Sequence, residues 1–492
     1  GYSALSAYAV NNFEPALVFD FKGNYFRKSA TDSTFGASIT HAASTNATMV
    51  DSDGLLKWRP HNNITKSNTF STWNKGSSTI VDNAAVGPNG IANTASTVNF
   101  SSTGSYFYNL AIFAANAGDK VTLAAWVRSD TITSLTFATN GRTNGANNTP
   151  ETNLAVTSTW TLVSFEATVL GNDTGLFFMI GKYNATSPIS QIGDFEIYGA
   201  HMFRSDLGGM VNNPDTASSY VPTTTTPVYL SRRGQHLYNG SAWVNEGILH
   251  ESEARTNLLL NSGTLATQSA TVAATGNTLS FTGTGTVTLS GVSTVGPLVG
   301  TGTGENNRVS LTFTPTVGTL TLTVSGTVTN AQLEAGSTPS SYIPTGSSTV
   351  TRAAETLTVP AANLPYDSTN MSIQMDGKMT GNTLTPVRWL LDANNSILLE
   401  TGTNNFSFTQ EAVGTVDTVT GGSFTSGTNV PFNIAARHGS EFINGAISGT
   451  SLTANTTPTA LPNLSSTDLN LGFDFMGTIG QFRMWSDDLG DV

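Results

Sequence analysis

The chain has no cysteine in its 492 residues, which excludes disulfides, thiolate metal sites and a cysteine nucleophile. Charge is also scarce: Asp, Glu, Lys and Arg make up 11% of the residues, less than half of the roughly 25% usual for soluble proteins. Basic residues are the rarer sign, 21 against 33 acidic, giving a formal net charge of -12. With no basic patch visible, nucleic acid and anionic membrane are excluded as main partners, since both reward a cationic surface. No apolar run is long enough to insert in a bilayer and no signal-peptide pattern is visible, so a chain acting outside the cell is expected to leave it by another route. Gly-x-Ser-x-Gly and His-Glu-x-x-His are missing, and His41, His61, His201, His236, His250 and His438 lack metal-ligand spacing. A hydrolase or metalloenzyme finds little support there, although a carboxylate pair for glycoside hydrolysis need only meet in space.

What is present is β-patterned. Gly, Ser, Thr and Asn fill the place of charge, and the 38% hydrophobic content falls in short alternating runs, the mark of folded strands and not of disorder. One phrase occurs twice: Ala200-His201-Met202 leading to Ser218-Ser219-Tyr220-Val221-Pro222-Thr223, and Ala331-Gln332-Leu333 leading to Ser340-Ser341-Tyr342-Ile343-Pro344-Thr345. Matching openings precede each copy, Gly54-Leu55-Leu56 then Asn63-Ile64 and Ser67, and Gly247-Ile248-Leu249 then Asn257-Leu258-Leu259 and Ser262. Two tandem modules of one design follow, each of domain size.

The expected fold is all-β, with tandem antiparallel β-sandwiches of jelly-roll and lectin-like type in an elongated arrangement. Residues 1–59 read as a separate N-terminal docking or assembly segment with an aromatic run from Phe13 to Phe26. Residues 60–205 form a first sandwich, with strands at Val121 to Val127, Trp160 to Phe165, Phe177 to Ile180 and Phe195 to Tyr198. A structured connector at 206–255 carries a hairpin turn at Tyr238-Asn239-Gly240, and a smaller sandwich follows at 256–345. After a linker at 346–365 comes a third sandwich at 366–492, with a hairpin turning at His438-Gly439-Ser440.

Several phrases carry a resemblance: Val50-Asp51-Ser52-Asp53-Gly54-Leu55, the run Asn63 to Trp73, Trp243 to Gly247 with Glu251 to Leu259, and Ala331 to Gly336 through Tyr342-Ile343-Pro344 to Ala354. In these the chain resembles virion structural proteins of tailed bacteriophages, fibres or minor tail proteins, over most of residues 15–357. The resemblance implies modules like carbohydrate-binding jelly rolls, and the terminal region is similar to concanavalin A and laminin G-like domains that end in a strand of the Phe482 to Trp485 type. It also implies a virion location after synthesis in a bacterial cytoplasm, other virion proteins as partners, a homotrimer, host-surface glycan as ligand and no enzymatic activity. A head fibre or decoration protein of purely structural role, and a polysaccharide-degrading enzyme with accessory modules, are the alternatives. The closing strand lies so near Val492 that a further segment beyond it stays open.

Sugar sites stack flat aromatic rings on pyranose faces and satisfy hydroxyls with amides and charges. The first-module candidates are Trp73, Tyr106, Tyr108 and Tyr183, with Asn140, Arg142 and Asn144 in a polar loop. For Trp73 the competing reading is a packing residue at the mouth of the sandwich. Trp126 and Trp160, which alternate with aliphatics, are assigned to the core. In the terminal sandwich, loops at Asn394-Asn395, Asn404-Asn405 and Gly421 to Asn429 are candidates if two or more converge. No cofactor is called for beyond a structural calcium, which the resemblance would place at Asp194; the second module has Ser325 at that position. Asp51-Ser52-Asp53-Gly54 begins like a calcium loop but lacks the later ligands, so a turn is expected. Arg232, Arg233 and Arg255 are expected to pair with Glu246, Glu251 or Glu253.

Overall fold

A computed structural model describes residues 4–145, 149–182, 190–381, 384–402, 405–425, 427–439, 442–459 and 461–490. Strands dominate, nearly all in antiparallel pairs, and the described chain divides into two compact units, Leu56–Leu230 and Gly1–Leu55 with Ser231–Val492. No described helix is long and apolar enough to cross a membrane.

The first unit is a sandwich of two five-stranded sheets. One runs Thr161–Thr168, Lys120–Arg128, Gly193–Arg204, Ala95–Phe100 and Ser78–Ala85; the other runs Thr149–Ala155, Ser134–Gly141, Asp173–Gly181, Tyr106–Ala115 and Asn74–Gly76. Alternation in each strand sends one parity inward: Val121, Leu123, Ala125 and Val127 meet Phe107, Phe137, Phe178 and Ile180 in a common core.

The other unit holds two more cores. The smaller sandwich packs a four-stranded sheet (Gln268–Val272, Gly318–Ser325, Thr286–Gly291, Leu298–Val299) on a three-stranded one (Val309–Phe313, Asn277–Gly283, Val328–Ala335) around Leu279, Phe281, Leu320 and Leu333. The terminal sandwich packs a ten-stranded sheet on a seven-stranded one. Its hairpin joins Val430–His438 to Ile443–Ile447, with His438 opposite Ile443.

Here the expected boundaries are corrected. Residues 1–59 do not stand apart: Leu17–Asp20 pairs with the closing strand Met476–Trp485, placing Phe19 opposite Phe482 with ring centroids 6.0 Å apart. Tyr25–Lys28 and Thr31–Ser33 extend that sheet, and Thr40–Ala42 joins the facing one. The connector gives it Arg232–Arg233 and Ile248–Glu251, and the linker gives Thr356–Val359 to the seven-stranded sheet. The aromatic run is therefore buried within its own chain, Phe19, Phe21 and Phe26 in the core with only Phe13 exposed, and it supplies no reason for a second subunit.

The repeated phrases are matched bond for bond, but the residue equivalent to Asn257 is Asn62, one position before the expected Asn63. Asn62 Nδ2 donates to the carbonyls of Ala200 (3.1 Å) and Val221 (2.9 Å) while its Oδ1 accepts from Ile64 and Met202. Asn257 does the same with Ala331 (2.9 Å), Ile343 (2.8 Å), Leu259 and Leu333. The Tyr220 hydroxyl meets Ser67 Oγ at 2.8 Å and that of Tyr342 meets Ser262 Oγ at 2.7 Å. Thr223 and Thr345 donate Oγ1 to the carbonyls of Ile64 and Leu259, each at 2.6 Å. Each clasp satisfies backbone groups that the crossing of the two chain ends would otherwise bury unpaired, and proline after the β-branched residue keeps the departing chain extended.

Arg232 and Arg255 are paired as expected, whereas Arg233 donates to Asn24 Oδ1 at 3.1 Å and lies over the Phe35 ring at 4.2 Å. Arg232, fully buried, bonds Glu251 at 2.8 Å and Glu355 at 2.9 Å, and Arg352 meets Glu251 at 3.1 Å. Arg255 pairs with Glu253 and Glu334, whereas Glu246 takes Lys22 and Lys378 instead of an arginine. At Asp51 to Gly54 the expected turn is present: Asp51 Oδ1 accepts from the Asp53 and Leu55 amides and Gly54 has φ of 77°.

Candidate functional site: an aromatic sheet face

The outward parity of the second five-stranded sheet of the first unit is where sequence candidates converge. Cross-strand register sets them in rows: Tyr108 beside Met179 and then Ala138, and Leu110 beside Phe177 and then Asn140. Tyr106 lies one row on, between Gly76 and Gly181. Rows two residues apart are separated by about 6.5–7 Å, so three rows over these strands make a surface broad enough for more than one sugar ring.

The rings are ordered by their neighbours. Tyr106 and Tyr108, both half-buried, stack with centroids 6.1 Å apart and planes 18° from parallel. Phe177 meets Tyr108 edge-on at 5.2 Å. The Tyr106 ring lies over Gly76, where an added Cβ would come within 2.6 Å of its Cε1, so the absence of a side chain there lets the ring lie down. Such a surface offers π-faces for C–H groups with amides alongside.

At one side, Asp173 pins the loop after Ser134–Gly141. Its carboxylate accepts from Thr143 N (3.0 Å), Thr143 Oγ1 (2.9 Å) and Asn144 N (3.3 Å). Partial burial pushes its pKa up, but these bonds and one from Thr174 outweigh that and hold the carboxyl below its ordinary value. Arg142 is exposed on this loop, and Asn144 Nδ2 is bonded to the Asn172 carbonyl at 2.8 Å, so Asn144 shapes the loop.

Other candidates fall elsewhere. Trp73 is a core residue, 2% exposed, packed on Phe70, Phe107 and Phe178 with Nε1 donating to the Lys66 carbonyl; the ligand-platform reading is corrected to packing. Trp126 and Trp160 reverse the opposite way. Their parity faces outward, Trp126 half-buried against Tyr198 and Tyr220, and Trp160 beneath the Arg128 guanidinium at 5.0 Å. Tyr183 and Asn404 lie outside the described residues.

In the terminal sandwich the candidate loops split. Asn394 and Asn395 sit at the turn beside Val413, with Asn395 Nδ2 donating to Asp392 and its Oδ1 accepting from the Val413 amide. Asn405 lies at the opposite end of the strand Asn395–Gly402, next to the Phe406–Gly421 pair. A single surface of all three loops is thus excluded by a strand length of about 25 Å, leaving Asn405 with the 421–429 loop.

Asp194 is exposed and accepts from Asn99 Nδ2 at 2.7 Å, and among the described residues no group of three or more His, Asp or Glu gathers as a metal cage. Ser325 ends the strand before the closing one in the smaller sandwich, so the two modules have no equivalent position there.

Phe177, Met179 and Gly76 were not singled out from sequence. A signal was present: Phe177-Phe178-Met179-Ile180 is apolar on both parities, one more apolar face than a two-layer sandwich buries.

No family model matches the chain, and no curated protein matches it. Solved structures do. A botulinum neurotoxin type C structure, described through its interaction with two ganglioside molecules, is 14% identical over 28% of this chain and 38% of that one, with a TM-score of 0.24. The enzymatically active domain of bacteriophage CBA120 tailspike protein 4 is 15% identical over 29% of this chain and 21% of that one, with a TM-score of 0.22. The CBM22-1-CBM22-2 tandem of Paenibacillus barcinonensis Xyn10C is 10% identical over 87% of this chain and 98% of that one, with a TM-score of 0.23. The chain thus spans well under half of the toxin and tailspike structures it matches. At such scores the likenesses carry no weight, and the β-sandwich fold rests on the sheets and cores described above.

Proposed function

We propose that this chain is a non-enzymatic glycan-binding protein, a virion appendage of a tailed bacteriophage, whose first sandwich holds surface polysaccharide on the Tyr106–Tyr108–Phe177 face. The observation that carries the glycan reading is the pair of near-parallel, half-exposed tyrosines seated beside a bare glycine with Asn140 in the neighbouring row. The virion role rests on the sequence phrases alone, as do assembly with other virion proteins and a trimeric state.

Oligosaccharides released from the host envelope, titrated against the full chain, should bind, and Y106A/Y108A should weaken binding about tenfold or more per ring while melting stays within a few degrees. Reducing ends should not accumulate. Binding unchanged in the double variant would remove the site; release of reducing ends would replace the binding protein with an enzyme.

A further inference from the structure

A second cleft lies on the terminal sandwich, on the outward face of its ten-stranded sheet. Register builds it from two rows. Arg483, Gln374, Ala435 and Ala446 cross four strands side by side, and Trp485, Ser372, Arg437 and Asn444 form the next row. The two alanines at the far end of the first row from Arg483 leave a depression of ≈ 180 Å³. That is below the roughly 300–1,000 Å³ of a drug-sized pocket and limits an occupant to about one ring.

Its electrostatics are unusual for an acidic chain. The lining contains two arginines and no carboxylate. Arg437 Nη1 is held by Asp488 at 3.1 Å, and its guanidinium lies on the Phe442 ring at 3.8 Å. Arg483 donates Nε to Gln374 Oε1 and Nη1 to the Tyr8 carbonyl, both at 2.9 Å, and among the described residues it has no carboxylate within 4.0 Å. Burial pulls its pKa below the ordinary arginine value, and Asp376 and Asp20 oppose that only from beyond ion-pair distance. A guanidinium bonded only to neutral acceptors retains donors for an anion. Ser372 and Asn444 are spent on their own chain, whereas Ser451 and Asn433, whose Oδ1 accepts from Gln374 Nε2 at 2.9 Å, are exposed at the rim to meet hydroxyls.

We propose that this cleft binds a carboxylate-bearing sugar, a uronic-acid residue, with the carboxylate between Arg483 and Arg437, the ring's C–H face on Ala435 and Ala446, and hydroxyls at Asn433 and Ser451. The site is separate from the aromatic face and does not depend on it.

The test is titration of the full chain with D-glucuronate, D-glucose and acetate, followed by amide shifts in Val430–His438 and Ile443–Ile447. Glucuronate should bind at least tenfold more tightly than either of the others, and A446L, which fills the floor, should lose at least tenfold with its melting intact. R483Q should lose as much, and R483K, which keeps the charge, less. Glucose binding equal to glucuronate would overturn the carboxylate assignment, and acetate binding equal to it would overturn the sugar. Unchanged affinity in A446L, no glucuronate binding at all, or binding that vanishes in Y106A/Y108A would overturn the site.

Discussion

Replacing Arg232 by methionine keeps most of the side-chain volume and removes the charge, so the result reads electrostatics more than packing. Arg232 is 0% exposed and bonds both Glu251 and Glu355, reaching the Thr48 carbonyl and the Ser341 hydroxyl as well. Its removal leaves two carboxylates, each about 2% exposed, sharing the nearby Arg352, which is bonded to one of them. Breaking a buried ion pair in this way costs about 3–5 kcal/mol. Burial pushes the Glu251 carboxyl up, but Arg352 and Arg232 together pull it down to about 2 against an ordinary 4.5, a difference worth about 3 kcal/mol that the two arginines share. That contribution is fully present above pH 4.5 and is lost as pH falls toward 2. Amide hydrogen exchange in Ile248–Glu251 should therefore accelerate by two to three and a half powers of ten on R232M at pH 7, about 1.4 kcal/mol per power. R232K should fall between, since it keeps a charge without the fork that bonds Glu355 twice. Acceleration of less than tenfold would show that the network does not hold these segments together.

The first sandwich should be acid-labile. Burial lowers His61 to about 3 and His201 to about 4, so both fold neutral; stability is complete above the unfolded pKa near 6.5 and falls below it by about 1.4 kcal/mol per unit for each group. Melting temperatures between pH 7 and pH 4.5 should show this, and H201Q, which installs the residue found at Gln332 of the repeat, should flatten the slope by about one proton; an unaltered slope contradicts it. Y220F and Y342F should each cost about 1–2 kcal/mol in denaturant titrations, because each removes the same buried bond to serine; losses that differ by more than twofold would deny the two clasps their common energetics. G76A should tilt the Tyr106 ring and weaken oligosaccharide binding severalfold with little change in melting, and equal affinity would show that ring orientation is not used.

Local pattern made much of this fold legible. The alternation of Val121, Leu123, Ala125 and Val127 locates a strand and its inward parity, and the same parity, followed through, puts Trp126 outside. The serine, tyrosine and threonine of the clasp were visible because they are repeated in type, whereas its asparagine is Asn62 and not the neighbouring Asn63. The terminal sheet was not, since nothing local to Leu17–Asp20 specifies a partner more than 450 residues away; only pairing with Met484 to Gln481 supplies it. Tyr106 and Tyr108 were legible as an i, i+2 aromatic pair, whereas Gly76, Phe177 and Met179 join them through cross-strand register that no single segment encodes. The arginine cleft depends on four strands and escaped for the same reason.

The central claim is that the first sandwich holds sugar on its aromatic face, and diffraction from crystals soaked in an oligosaccharide of the host surface tests it most directly. A pyranose ring lying against Tyr106 and Tyr108 with a hydroxyl at Asn140 is the predicted result. Sugar ordered on the first unit only at other positions, with that face bare at saturating concentration, would contradict the account.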